Sequence, residues 1–164
     1  MEERKGADFS ECGLYRYALW RIWDDSKPLV MFVGLNPSTA NAEADDPTIR
    51  RVRAIATNLG YGGIYMCNCF SYISTNPAML KAETVEAMIK NAEVLKRAAQ
   101  RCKDVVFAWG NFKEVSDSGI DKKLAEAFPS AKALFINKNG SPKHPLYCKT
   151  EIQPVMYRSG EYIY

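Results

Sequence analysis

Four short polar motifs interrupt otherwise apolar runs in this chain: Asn36-Pro37-Ser38, Asn68, Trp109-Gly110-Asn111 and Lys143-His144-Pro145. A carboxamide such as that of Asn36 or Asn68 donates and accepts together, so it can orient a water or pair with the edge of a base. Asn36 also stands where an apolar run breaks into Pro37, and capping that turn is the alternative reading. His144 is the sole histidine. Beside Lys143 it can donate to a developing oxyanion or to a phosphate. Of the two adjacent carboxylates, Asp46 precedes Pro47 and reads as a helix cap. Asp45 is then free to act as general base or to hold a sugar hydroxyl, with a plain surface role as the alternative. Ser38 would be a nucleophile only with a base in reach. The run GLNPS (34–38) does not match the G-x-S-x-G elbow, so a turn or ligand contact is the favoured role.

Further residues extend this set toward ligand binding. Phe70 and Tyr72 follow an apolar run and offer stacking faces, although aromatics there are more often core. Trp109-Gly110 ends another run. Core packing is one reading of the pair; the other is a glycine that lets a ligand approach the backbone. Arg50, Arg51 and Lys143 are candidates for phosphate contact, the alternative for the arginines being a solvated helix face.

These residues must be positioned by secondary structure. The runs LVMFVGL (29–35), GIYMCNCF (63–70), DVVFAWG (104–110) and ALFIN (133–137) read as buried strands. LYRYALWRIW (14–23) fits either an edge strand or a short helix. Asp46-Pro47 starts a helix whose apolar residues recur to Leu59, with Gly60 as its stop. The stretch 83–102 forms the longest helix, and 121–128 a short one. Weak alternation around Ser159-Gly160 places a hairpin over 155–164. Alternating strands and helices imply an α/β fold, a three-layer α/β/α sandwich around a central, mostly parallel four-stranded sheet. Ligands bind such sheets beyond the carboxyl ends of the strands. The four polar motifs all fall there.

The totals are consistent with one domain of ordinary globular composition over residues 1–164. With 22 basic and 19 acidic side chains, the net charge of +3 excludes a histone-like electrostatic binder. The charged start MEERKGADFS predicts no secretory signal. No run approaches the roughly 20 apolar residues needed to cross a bilayer. Five cysteines without a CxxC read as reduced thiols of a cytoplasmic protein. Cys67 and Cys69 would share one strand face, as core residues or, less often, as a metal pair.

With these motifs in place, the chain resembles a bacterial and phage family known only as a domain of unknown function. The matching pieces are YRYALWRIW (15–23), GLNPSTA (34–40), DDPTIRR (45–51), NCF (68–70), AWG (108–110) and KNGSPKHPLY (138–147). More distantly, the order of GLNPS, a later asparagine, WG and HP is similar to the uracil-DNA glycosylase superfamily, especially its mismatch-specific branch. That resemblance implies a glycosylase-like fold and roles for three residues. Asn36 would orient the hydrolytic water, Asn68 would hydrogen-bond the base, and His144 would stabilise charge building on it. An aromatic near the first loop would stack a flipped-out base. Dissociative loss of a base rests on positioning and electrostatics, so no metal or other cofactor is implied.

The leading expectation is therefore an N-glycosidase acting on uracil-like, mismatched or modified bases in DNA. Two alternatives remain: an enzyme on free nucleosides or nucleotides, and a non-catalytic module that binds a nucleotide or nucleic acid.

Overall fold

The computed structural model describes residues 1–157. The hairpin expected over 155–164 lies mostly outside them. Alternation within the apolar runs decides the layering. In β3 (Leu29–Gly34), Val30 and Phe32 face one side, while Met31 and Val33 face the other. The first side is covered by α1 (Pro47–Asn58), through Ile49, Val52 and Ile55. The second is covered by α2 (Val85–Gln100) and α4 (Ile120–Ala127), through Val94, Leu95 and Leu124. Each fully buried side chain of this kind stabilises the fold by about 1.5–3 kcal/mol.

The remaining elements are β1 (Arg4–Phe9), β2 (Arg16–Ile22), β4 (Gly63–Asn68), β5 (Asp104–Phe107), α3 (Lys113–Ser118), β6 (Lys132–Ala133) and β7 (Val155–Met156). The strands form one sheet in the order β1-β2-β4-β3-β5-β6-β7. Strands β4, β3, β5 and β6 run parallel to their neighbours within that group, whereas β1, β2 and β7 are added antiparallel. The fold is α/β as expected, but the sheet is mixed and has seven strands rather than four. The run 14–23 is a strand, and not an edge one, because β1 covers it. β1 escapes a hydrophobicity reading because RKGADF buries only Gly6, and charges of this kind suit an exposed edge. Gly6 is required there: a Cβ would fall 2.2 Å from the Trp20 ring. The expected strand over 133–137 shrinks to a two-residue ladder, after which Ile136 bridges back to Pro142.

The helix ends follow local chemistry. Asp46 Oδ1 accepts from the Ile49 N–H at 2.9 Å, with Pro47 at the first helical position. Thr84 caps α2 through the Ala87 N–H at 3.1 Å. Cys67 and Cys69 both lie in the core beneath α2. No helix among the described residues is long and apolar enough to cross a membrane.

One polar cluster organises the connection between β3 and α1. Arg21 on β2 has no exposed surface. Its Nε donates to Asp45 Oδ1 at 2.8 Å, and its Nη2 to the carbonyls of Asn41 (2.6 Å) and Ala44 (3.3 Å). Its Nη1 donates to the carbonyl of Trp20 at 2.9 Å. Arg53 on α1 completes the cluster, donating to Asp45 Oδ2 at 2.9 Å. Burial pushes the Asp45 carboxyl up, but the Arg21 hydrogen bond and the Arg53 charge outweigh it and hold the group below the usual carboxylate range.

Removing one partner of a buried ion pair strands the other charge. Asp45→Ala is expected to destabilise the protein by about 3 kcal/mol in urea unfolding. The depressed Asp45 pKa contributes stability that is present above the unfolded value, about 3.9, and is lost as pH falls through the lower folded value. Asp45→Asn should therefore flatten part of the stability loss seen in the parent protein below about pH 4. An unchanged acid limb would show that Asp45 is not a stabilising partner.

Candidate functional site

Beyond the carboxyl ends of β3 and β4 the sheet gives way to a cavity of about 230 Å³. Gly34, Met66 and Asn68 at the strand ends line it, together with Asn36, Ser38, Asp46, Thr48, Ser74, Thr75, Phe112 and His144 from the surrounding loops and helix starts. Arg16 reaches it from β2.

Asn68 ends β4 on the same sheet face as Ile64 and Met66, and is 2% exposed. It pairs in register with Gly34. A Cβ on Gly34 would stand 2.8 Å from both Asn68 Oδ1 and Met66 Cε, so glycine there makes room for the carboxamide. From α2, Asn91 Nδ2 donates to the Asn68 carbonyl at 2.9 Å and fixes the strand end. The side-chain Nδ2 of Asn68 is buried without a hydrogen-bond partner. A buried donor left unpaired costs about 1–3 kcal/mol.

Asn36 is placed by the bonds it makes. Its Nδ2 donates to the carbonyls of Ser74 (2.7 Å), Pro37 (3.1 Å) and Tyr72 (3.3 Å), which ties the 72–74 segment to its own turn. The amide nitrogen is thus committed to the backbone, leaving Oδ1 as the group available to accept.

His144 is oriented by its own loop. Its Nδ1 accepts from the Leu146 N–H at 3.2 Å, which assigns the proton of the neutral ring to Nε2. Burial holds its pKa below the ordinary histidine value, against the opposing pull of the Asp46 charge. The neutral ring is then a donor at Nε2. Two contacts anchor the loop: Gly110 N–H donates to the Pro142 carbonyl at 2.9 Å, and Arg51 Nη1 donates to the Cys148 carbonyl. Gly110 has φ +80°, and a Cβ on it would meet His144 Cβ and Phe112 Cε2 at 3.3 Å. The absent side chain leaves room for both to pack against the backbone at Gly110.

The cavity thus brings together Asn36, Ser38, Asn68 and His144 of the expected set. Others fall elsewhere. Asp45 is consumed by Arg21 and Arg53 and does not line the cavity; its neighbour Asp46 does, while also capping α1. Phe70 is buried in the core near α2. Trp109 is 2% exposed and packs on Phe107 and Tyr157, at centroid distances of 4.7 and 5.8 Å. Tyr72 packs against Tyr15. The proposed phosphate contacts are also engaged away from the cavity. Arg50 donates to the Asp45 carbonyl, Arg51 holds the His144 loop, and Lys143 sits over the Phe135 ring.

Arg16, Thr48, Ser74, Thr75 and Phe112 are among the lining residues that the sequence does not single out, and Asp46 reads there only as a helix cap. An arginine inside an aromatic run was the available signal for Arg16. Phe112 carries none, since it follows the strand end by a turn.

Because His144 is the only histidine, its imidazole signals in NMR can be followed without ambiguity. The expected midpoint lies below about 6.5, the ordinary histidine value. Asp46→Asn keeps a competent helix cap and removes the charge that supports the imidazolium, so the midpoint should fall further. A midpoint at or above that of free histidine would contradict the geometry.

Comparison with known proteins adds a family and nothing on activity. No curated protein and no solved structure matches the chain. The family described as "Protein of unknown function (DUF1643)" matches residues 16–146, which include every residue lining the cavity. The chain belongs to this family.

Proposed function

We propose that the cavity binds a nucleobase and that the protein hydrolyses the N-glycosidic bond joining it to a sugar. The observation that carries this reading is the Asn68 carboxamide, buried in the cavity lining with Nδ2 unpartnered. A base edge is the kind of ligand group that both accepts from and donates to a carboxamide. The cavity size suits one planar ring, and Phe112 in its wall offers a stacking face. The similarity of GLNPS (34–38), Asn68 and His144-Pro145 to the uracil-DNA glycosylase superfamily supports the same assignment and a glycosylase-like fold.

The chemistry follows from the same groups. As the bond between sugar and base breaks, its electron pair leaves with the base. His144 Nε2–H donates to the carbonyl oxygen of the base on which that negative charge accumulates. Asn36 Oδ1 and the Asp46 carboxylate are the acceptors that orient the water. The water oxygen bonds to the anomeric carbon, Asp46 takes one of its protons, and the base is protonated from solvent. The products are a free base and a sugar hydroxyl. A second reading, free nucleosides or nucleotides in place of DNA, is favoured by one observation: Arg51 and Arg53 of α1 are held by Cys148, Asp45 and Glu3.

The test is release of free base, followed chromatographically, from uracil-containing, mismatched and modified oligonucleotides and from the corresponding nucleosides. Alkali cleavage would locate abasic sites. His144→Ala and Asn68→Ala are each expected to lower kcat by about 100-fold, the typical effect of losing one charge-stabilising donor. Release from nucleosides alone selects the second reading. Binding without release from any substrate would reduce the site to a nucleobase sensor.

A further inference from the structure

Arg16 is 3% exposed and lines the cavity. Simple alternation along β2 would put it on the same face as Ala18, in the core beneath α2. The register shift between Asp8 and Phe9 prevents that: Phe9 opposes Arg16 and Asp8 opposes Ala18, leaving Tyr17 as an extra residue. Tyr17 and Ala18 consequently both enter the core beneath α2. Beyond the bulge Arg16 emerges on the opposite face, that of Leu19 and Arg21. There its Nη1 donates to the Ala40 carbonyl at 3.1 Å, while its Nε is buried without a partner.

The contrast with Arg21 is informative. Both guanidiniums are buried on the same strand. Arg21 has the Asp45 carboxylate and several carbonyls, as a structural arginine requires. Among the described residues no carboxylate is in ion-pair contact with Arg16. Asp46, in the same cavity, acts on it only at longer range. A buried charge that is neither paired nor fully hydrogen-bonded is costly, and Arg16 lines the cavity together with Asn68, whose Nδ2 is a second buried donor without a partner.

We infer that Arg16 is a ligand-binding cation, and that the occupant presents an anionic oxygen to its Nε in a site shared with Asn68 Nδ2. This deepens the nucleobase reading by fixing the charge of the occupant. Two sources have the required chemistry: the departing base, which carries the electron pair of the broken bond, and a phosphate of the ligand.

The experiment is calorimetric titration of the whole protein at neutral pH with uracil, with 5-nitrouracil (whose ring is ionised there) and with inorganic phosphate. It is repeated on Arg16→Gln and Arg16→Lys. The expected result is that 5-nitrouracil binds about tenfold more tightly than uracil, the scale of one charge-assisted hydrogen bond. That preference should vanish in Arg16→Gln and survive in part in Arg16→Lys. Arg16-dependent binding of phosphate with no binding of either pyrimidine would uphold the cation site and overturn the nucleobase reading. Equal binding of both pyrimidines, unaffected by Arg16→Gln, would do the reverse. A readout on the unmutated protein guards against misfolding of the variants: a saturating anion should shift the Nε–Hε resonance of Arg16 in NMR. No shift with either anion overturns the inference.

Discussion

Arg21 carries a full charge with no solvent contact, and the chain between β3 and α1 is shaped to neutralise it. Its guanidinium takes the carboxylate of Asp45 and the carbonyls of Asn41 and Ala44, fastening that segment across β2. Because Asp45 is held there, Asp46 is set at the start of α1, where it caps the helix and faces the cavity at once. The same strap fixes the far end of the loop that begins at Asn36, whose amide nitrogen binds the 72–74 segment. One buried charge thus sets the geometry of several side chains that do not touch it.

The site made this way is rich in donors. Asn68 Nδ2 and Arg16 Nε are buried and unpaired, and His144 adds an N–H whose proton is assigned by the Leu146 contact. Against them stand the Asp46 carboxylate and the Asn36 oxygen. Folded proteins rarely leave buried donors without partners, so their gathering around one opening favours an electron-rich ligand. The position agrees with the general behaviour of α/β sheets, whose ligands sit beyond the carboxyl ends of parallel strands. Glycines permit the close fit: Gly34 yields space to Asn68, and Gly110 yields it to His144 and Phe112.

Much of this was legible in the sequence, and the failures have physical causes. The buried strands β3, β4 and β5 announced themselves as apolar runs, and α1 by Asp46-Pro47. Asn36 and Asn68 are legible because polar residues at or just beyond the ends of buried strands land on one rim, whereas His144 lies well beyond β6 and is brought to the cavity by its own loop. β1 was not, since an edge strand can be charged. Arg16 was hidden by a bulge, a one-residue shift in pairing that no local pattern reveals. Asp46 both caps α1 and lines the cavity because one oxygen suffices for the cap, while Asp45 is held by Arg21 and Arg53. Arg50 and Arg51 looked like a phosphate-binding face only because their backbone acceptors lie far away in sequence or in a preceding turn.

The most direct test of the account is a crystal structure of the protein grown with saturating uracil. The account predicts a planar ring in the cavity, with one edge within hydrogen-bond distance of Asn68 Nδ2 and Phe112 alongside it. An empty cavity at saturation, or a ring bound only elsewhere on the surface, would contradict it.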